Sequence, residues 1–497
     1  MPVDNVLLIL TDQHRYDIVG ANGSPICRSP SLDAFAANGV NFSNAYSMCS
    51  LCSPARASIY TGLLPHTHGI TRNVMARQRN PMFIPKSMPT LAERLNELDV
   101  RSHFVGKWHA GTRLPTQCGF TGMDVPDYGV IKDHPDYLEY LASRGLEKPE
   151  IEPVGSGWAH RLTLAGKLTG PLEASIPYYL AERAIEFLRE RRKDQRFFLA
   201  LNFWGPHAPY LPSEPYASMY DPKDIPPWPN FDDEFENKPP IYRRYRDAFI
   251  GAGNPKRSWE ECARWAALYF GFATQLDAQI GRVLEAMEEL GLQDNTATLF
   301  SCDHGDLTGA HGGMHDKGGM CVQELYHIPL MGRVPGGASG DVCDLYVNNM
   351  DLSQTVLDLA GYGTREELDG RSLAPLLRGE RPDDWPDFTA GEFFGNHYAY
   401  EVRYVVHNGM KYVFHPGSTD ELYDLETDPW ELKNLIDDPG RADVLRACRK
   451  RLIDWSKASG DELCILCGLF QKRPEDGVAP YTPKAMDQLR ESPTVLL

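Results

Sequence analysis

Five consecutive apolar residues, Val6-Leu7-Leu8-Ile9-Leu10, run straight into the polar cluster Thr11-Asp12-Gln13-His14. A short apolar run that stops abruptly reads as a strand buried on both faces. Three further segments repeat the pattern. Ser102 to Val105 leads into Gly106-Lys107-Trp108-His109, Phe197 to Phe203 into Trp204-Gly205-Pro206-His207, and Thr296 to Ser301 into Cys302-Asp303-His304-Gly305. Helical segments lie between them. Thr90-Leu91-Ala92-Glu93 has the capping-box pattern and opens a helix to about Leu98, and Ile176 to Arg191 has helical periodicity. Ser258-Trp259-Glu260-Glu261 opens a long helix to about Leu290, with Leu276, Ile280, Val283, Leu284 and Met287 on one face. Strands alternating with helices predict an α/β fold on a large, mostly parallel sheet flanked by helices. Sites in such sheets lie beyond the carboxyl ends of the strands. Four strands ending in Asp, His or Lys therefore predict one convergent site.

The character changes after about residue 385. Arg378 to Pro386 is polar and proline-containing. Beyond it, Tyr404 to His407 and Lys411 to Phe414 read as strands joined by the hairpin signal Asn408-Gly409. The predicted division is a large α/β domain over residues 1–385 and a smaller C-terminal α+β domain with an antiparallel sheet over 386–497. A proline-bearing tail from about Gly468 suits packing on a neighbouring subunit, so a homo-oligomer is expected.

Partners are bounded by charge. The chain carries 50 Lys and Arg against 68 Asp and Glu, a net charge of −18, with no block of five basic residues. That balance argues against nucleic acid as a partner, and no stretch is long enough to span a bilayer. An anionic substrate needs positive charge concentrated locally. The opening Met1-Pro2-Val3-Asp4-Asn5 has no basic leader region, and the eleven cysteines have no small-domain disulfide spacing. Cytoplasmic residence is expected.

The segment Cys52-Ser53-Pro54-Ala55-Arg56, continuing Ala57-Ser58-Ile59-Tyr60-Thr61-Gly62, reads as a helix with proline at its first position and glycine past its end. Cys52 would then sit at a helix N-terminus, where free N–H groups favour negative charge, with Arg56 one turn on. Cys49 and Cys52 also form a C-x-x-C, as do Cys464 and Cys467. Two such pairs leave open a zinc or redox-regulated binding protein without catalysis, but that reading leaves the strand-end clusters unexplained. Asp12, Gln13, Asp303 and His304 offer two carboxylates, an amide oxygen and an imidazole, a set able to hold one divalent cation.

Cys-x-Pro-x-Arg followed by Thr-Gly resembles the signature of the type I, formylglycine-dependent sulfatases of the alkaline phosphatase superfamily. The resemblance extends to Asp424-Leu425-Glu426-Thr427-Asp428-Pro429, with Glu431 and Asn434-Leu435. It implies an alkaline-phosphatase-like fold and conversion of Cys52 to Cα-formylglycine by a maturation enzyme. It also implies a small-molecule sulfate ester as substrate. The implied metal ligands are Asp12, Gln13, Asp303, His304 and the modified Cys52. Many sulfatases have aspartate where Gln13 stands and asparagine where His304 stands. These two positions look more like the phosphonate monoester hydrolase branch, and a nitrogen ligand shifts the choice from calcium toward manganese. Lys107 and His109 look like the strand end of true sulfatases. By the same resemblance His207 is the leaving-group histidine and Lys317, in His315-Asp316-Lys317-Gly318, the second sulfate-binding lysine. Asn73 aligns with a substrate-contacting asparagine of the phosphonate branch and so, with Gln13 and His304, favours that alternative, while His311 and His315 read as structural.

The implied reaction is attack of the hydrated formylglycine on sulfur to give a covalent sulfo-enzyme, with Arg56 orienting the nucleophile. His207 then protonates the leaving alcohol, and His109 or an aspartate takes the proton whose loss releases sulfate. The alternative is a phosphonate monoester or phosphodiester hydrolase on the same scaffold. Segments Pro115 to Trp158 and Pro209 to Lys256 are expected to supply pocket walls, the second as an aromatic lid.

Overall fold

The computed structural model of the chain describes residues 2–74, 82–126, 128–157, 162–250, 257–317, 319–396 and 398–463. The Cys464–Cys467 pair and the tail from Gly468 lie outside the described residues. All four apolar runs become neighbouring strands of one sheet. The strands are β1 (Asn5–Asp12), β2 (Val40–Phe42), β3 (Arg101–Gly106), β4 (Thr121–Gly122), β5 (Phe197–Pro206), β6 (Thr296–Cys302), β7 (Leu330–Arg333) and β8 (Asp341–Cys343), in the order β8-β2-β7-β6-β1-β5-β3-β4. Only β7 runs antiparallel to its neighbours. The four strands with polar ends, β6-β1-β5-β3, are adjacent and parallel, so their ends meet by construction.

Both faces of the sheet are covered, which is why the runs are continuously apolar rather than alternating. Leu8, Leu10, Phe104, Phe198 and Leu299 face one side, with Ile59 and Tyr60 of α1 (Cys52–Thr61) and Leu91 and Leu95 of α2 (Leu91–Asn96). Leu7, Ile9, Val105, Leu199 and Phe300 face the other. There they meet Leu180, Ala184 and Leu188 of α3 (Ile176–Glu190) and Leu276, Ile280, Val283 and Met287 of α4 (Trp259–Glu289). Leu284 packs only at the margin. Each such Leu or Phe contributes about 1.5–3 kcal/mol by burial. The capping box at Thr90 is formed in both directions with Glu93, and Ser258 accepts from the Glu261 N–H.

A second sheet is an antiparallel meander of β9 (Phe388–Phe393), β10 (Val402–His407), β11 (Met410–Phe414) and β12 (Glu421–Asp424). Asn408 and Gly409 both take positive φ, 49° and 71°, as the tight β10–β11 turn requires. Leu445, Cys448 and Leu452 of α5 (Ala442–Ser459) cover one face. Tyr404, Val406 and Val413 on the other pack against Tyr46, Cys49 and Leu51, the approach to Cys52. The Tyr404 hydroxyl donates to Ser47 O at 2.7 Å. The small sheet thus braces the backbone that delivers Cys52.

A second brace is ionic. His66 pairs through Nδ1 with Glu392 of β9, and its Nε2 donates to Ser459 O at 2.9 Å. Partial burial pulls the His66 pKa down, but Glu392 dominates and raises it to about 9. A raised histidine pKa gives stability that is complete below the unfolded value of about 6.5 and is lost as pH rises through about 9. Urea midpoints should therefore fall between pH 7 and 10 more for the native sequence than for His66→Gln. The difference should be about 1–2 kcal/mol, and equal slopes would contradict the assignment.

Candidate active site

Cys52 opens α1 as its first helical residue, and Gly62 closes it at φ 72°. Pro54 is the third helical residue rather than the first, still within the turn whose N–H groups have no helical partner. Every residue of α1 is buried. Cys52 Sγ lies 3.3 Å from His304 Nε2 and 3.8 Å from Asp12 Oδ1. Asp12, Cys52, Asp303 and His304 each offer one ligand atom, all within 4.8 Å of one another and all buried.

This donor set fits a divalent cation. His304 Nδ1 donates to Gly305 O at 2.9 Å, which leaves its Nε2 lone pair facing the cluster. Burial, against the pull of Asp303, lowers the His304 pKa, so the ring is neutral as a ligand must be. Burial alone would raise the Asp12 pKa, but Lys107, His207 and Arg56 hold it well below the ordinary carboxylate value.

Arg56 joins the two carboxylates. Its Nε donates to Asp303 Oδ2 at 2.8 Å and its Nη2 to Asp12 Oδ2 at 3.0 Å, while Nη1 reaches Lys107 O and Asn202 Oδ1. Lys107 Nζ lies 2.6 Å from Asp12 Oδ2. Two buried cations thus balance two buried carboxylates, leaving the other Asp12 oxygen toward Cys52.

Gln13 stands beside this cluster with its amide engaged elsewhere. Its oxygen accepts from Lys317 Nζ at 3.0 Å, and its NH₂ donates to Asp306 and, at 2.9 Å, to Asp316 Oδ1. Lys317 Nζ also lies 3.1 Å from Asp316 Oδ1 and donates to His207 Nε2 at 2.8 Å. Gln13, His109 and Asp316 all have left-handed backbones, φ 64°, 48° and 60°. Such conformations cost non-glycine residues about 1–3 kcal/mol each and concentrate at functional sites.

His109 lies beyond the strand: β3 ends at Gly106, and the left-handed backbone at His109 turns the ring back to the site. Its Nε2 donates to Val74 O at 3.0 Å. Burial, reinforced by Lys107, holds its pKa well below the ordinary value, so the ring is neutral. Nδ1 is buried without a hydrogen-bond partner among the described residues and offers a lone pair.

Asn73 has a local task. Its Oδ1 accepts from the Ser53 N–H at 3.1 Å, satisfying a free donor of the first turn of α1, and its side chain hydrogen-bonds Tyr128. His311 is structural in its contacts, bridging Asp233 and Glu324 at 2.8 and 3.3 Å. His315 is buried and meets the Trp265 ring edge-on.

Sequence reasoning missed Asn202, Tyr128 and Trp204. Asn202 holds both Arg56 and the Tyr60 hydroxyl, and a lone amide inside an apolar strand was the available signal. Tyr128 lies 4.6 Å from the His109 ring. Trp204 sits 4.7 Å from the His207 ring and 5.5 Å from Lys107 Nζ. Of the aromatic residues expected to form a lid over 209–256, Trp228 packs on the helix α4: it donates to Thr308 O and meets Trp259 and Phe270 edge-on.

The profile of the Sulfatase family matches residues 4–362, and that of the C-terminal part of N-sulphoglucosamine sulphohydrolase matches residues 309–458. An arylsulfatase of Clostridium perfringens is 30% identical over 90% of this chain and 93% of its own. A multifunctional alkaline phosphatase superfamily protein of Trinickia caryophylli is 28% identical over 92% and 96%. The phosphonate monoester hydrolase of Agrobacterium radiobacter superposes with a TM-score of 0.78 at 27% identity, over 92% of this chain and 96% of that one. Fold and cluster together define a hydrolase of the alkaline phosphatase superfamily. Within that superfamily the chain belongs to the sulfatase family and is a sulfuric ester hydrolase.

Proposed function

We propose that the chain hydrolyses aryl sulfate monoesters with a formylglycine nucleophile made from Cys52 and one divalent metal, calcium or manganese. The observation that carries this reading is the buried Cys52 side chain at the start of α1, facing Asp12 and His304. Asp12, Asp303, His304 and residue 52 would hold the metal, with Gln13 beside them. When bound, the metal supplies Lewis-acid charge to the nucleophile and to a sulfuryl oxygen.

The chain's own residues account for the other tasks. Lys107 and Lys317 supply charge for the remaining oxygens. The Lys317–His207 hydrogen bond lets the pair deliver a proton to the departing oxygen as the S–O bond breaks and sulfur bonds to the residue-52 oxygen, whose own proton has passed to solvent before attack. His109, neutral with a free Nδ1, accepts the proton of the second hydroxyl. Its loss re-forms the aldehyde and expels sulfate, and water restores the hydrate. Arg56 fixes both carboxylates.

A formylglycine-generating maturation enzyme, cytoplasmic residence and a homo-oligomer belong to the same reading. A second reading is favoured by Gln13 and His304 and by the phosphonate monoester hydrolase likeness: a preference for phosphonate monoesters. The kcat/KM for 4-nitrophenyl sulfate and for 4-nitrophenyl phenylphosphonate on fully modified protein separates the two. The sulfate is expected to be the better substrate. A phosphonate monoester that outpaces every aryl and alkyl sulfate would transfer the assignment to the second reading.

A further inference from the structure

An apolar cavity of about 310 Å³ lies on the far side of Trp204 from His207 and Lys107, sharing that residue with the surroundings of the catalytic cluster. Its wall includes Trp204, Gly205 and Pro209, the residues that bracket His207, together with Phe272 of α4. Trp204 belongs to both places, because its ring also lies beside His207 and Lys107. Val130 and Ile151 line the cavity while 46% and 41% exposed, so apolar side chains stand in water at its mouth. Concave apolar pockets of this kind are where organic ligands bind.

The lining also limits the occupant. Its charged residues are Lys132 and Lys148, the second paired with Asp133 at 2.5 Å, and no carboxylate is among the described lining residues. An organic cation would meet two lysines and no lining carboxylate among the described residues, whereas an ester with a sulfate at one end meets no such repulsion. A sugar would find few free hydrogen-bonding groups. The Tyr137 hydroxyl donates to Ala174 O at 2.6 Å, and Trp204 Nε1 donates to Tyr128 O at 3.2 Å. Trp204, which lines the cavity and lies 4.7 Å from the His207 ring, where the leaving oxygen would be protonated, connects the cavity to the alcohol half of the substrate.

We infer that this cavity binds the apolar organic group of the substrate, making sulfate esters of alkyl-substituted phenols the preferred class. The inference rests on the proposed sulfatase reaction. A series of 4-alkylphenyl sulfates from methyl to hexyl tests it, because the phenol's acidity as a leaving group stays nearly constant along the series. The kcat/KM should rise about fourfold per buried methylene and level off once the cavity is filled.

Ile151→Asp and Val130→Asp place a carboxylate at exposed positions of the mouth. Each should lower the ratio of hexyl to methyl kcat/KM by about tenfold. A flat series, or an unchanged ratio in both variants, would overturn the inference and leave the cavity to another part of the chain or a second copy. Inactivity toward the methyl member as well would count against the sulfatase reading instead. Calorimetry with 4-hexylphenol then still decides: binding weakened by Ile151→Asp supports the cavity assignment, and no binding refutes it.

Discussion

Cys52→Ala should lower turnover of 4-nitrophenyl sulfate by a factor on the order of 10⁴ or more, as loss of a nucleophile does when the rest of a site stays intact. The fold should survive. Cys52 packs at the start of a wholly buried helix whose first turn is held by Ala55 N–H donating to Leu51 O and by Asn73 on the Ser53 N–H. None of these contacts uses the thiol. The active form should also show a peptide mass about 18 Da below that of the unmodified cysteine, since oxidation to the aldehyde removes the sulfur. Fully active protein with an intact Cys52 thiol would end the formylglycine mechanism. A correct mass shift with no turnover of any sulfate would leave the modification standing and the substrate class in error.

The sequence made the sheet legible because its central strands are buried on both faces, so each is an uninterrupted apolar run with a sharp polar end. Adjacent parallel strands then bring those ends together whatever the loops do. What a local reading cannot supply is where a side chain turns after its strand. Gln13 and Asp316 are some 300 residues apart, yet their hydrogen bond helps set the direction of the Gln13 amide. His109 lies beyond its strand and reaches the site through a left-handed backbone. Tyr128 carries no signal at all, arriving from a loop whose path is set by tertiary contacts. The strand Phe388–Phe393 went unread because Gly391 and Glu392 interrupt its pattern, and Glu421–Asp424 because it has four residues with an acid at each end. Trp228 reads as part of a lid because composition cannot distinguish rings that cover a ligand from rings that cover a helix.

Asp303→Asn should separate the metal from the fold. Asp303 Oδ2 accepts from Arg56 Nε, and its Oδ1 accepts from the N–H groups of Gln13 and His304. Asparagine keeps one carbonyl oxygen in nearly the same place but removes one of the two carboxylate charges that oppose Arg56 and Lys107. The cluster then carries an excess positive charge before any cation arrives. Divalent metal binding should weaken by about 10²-fold or more, with kcat/KM falling in parallel, since removing a charged partner from a buried pair costs about 3–5 kcal/mol. Circular dichroism should show the native fold, and metal content by elemental analysis should drop below one ion per chain. Chelation of the native protein should mimic the variant, and added manganese or calcium should restore the former but only partly the latter. Full activity in metal-free native protein, or a variant that loses activity while keeping its metal, would show that Asp303 serves Arg56 and not a cation.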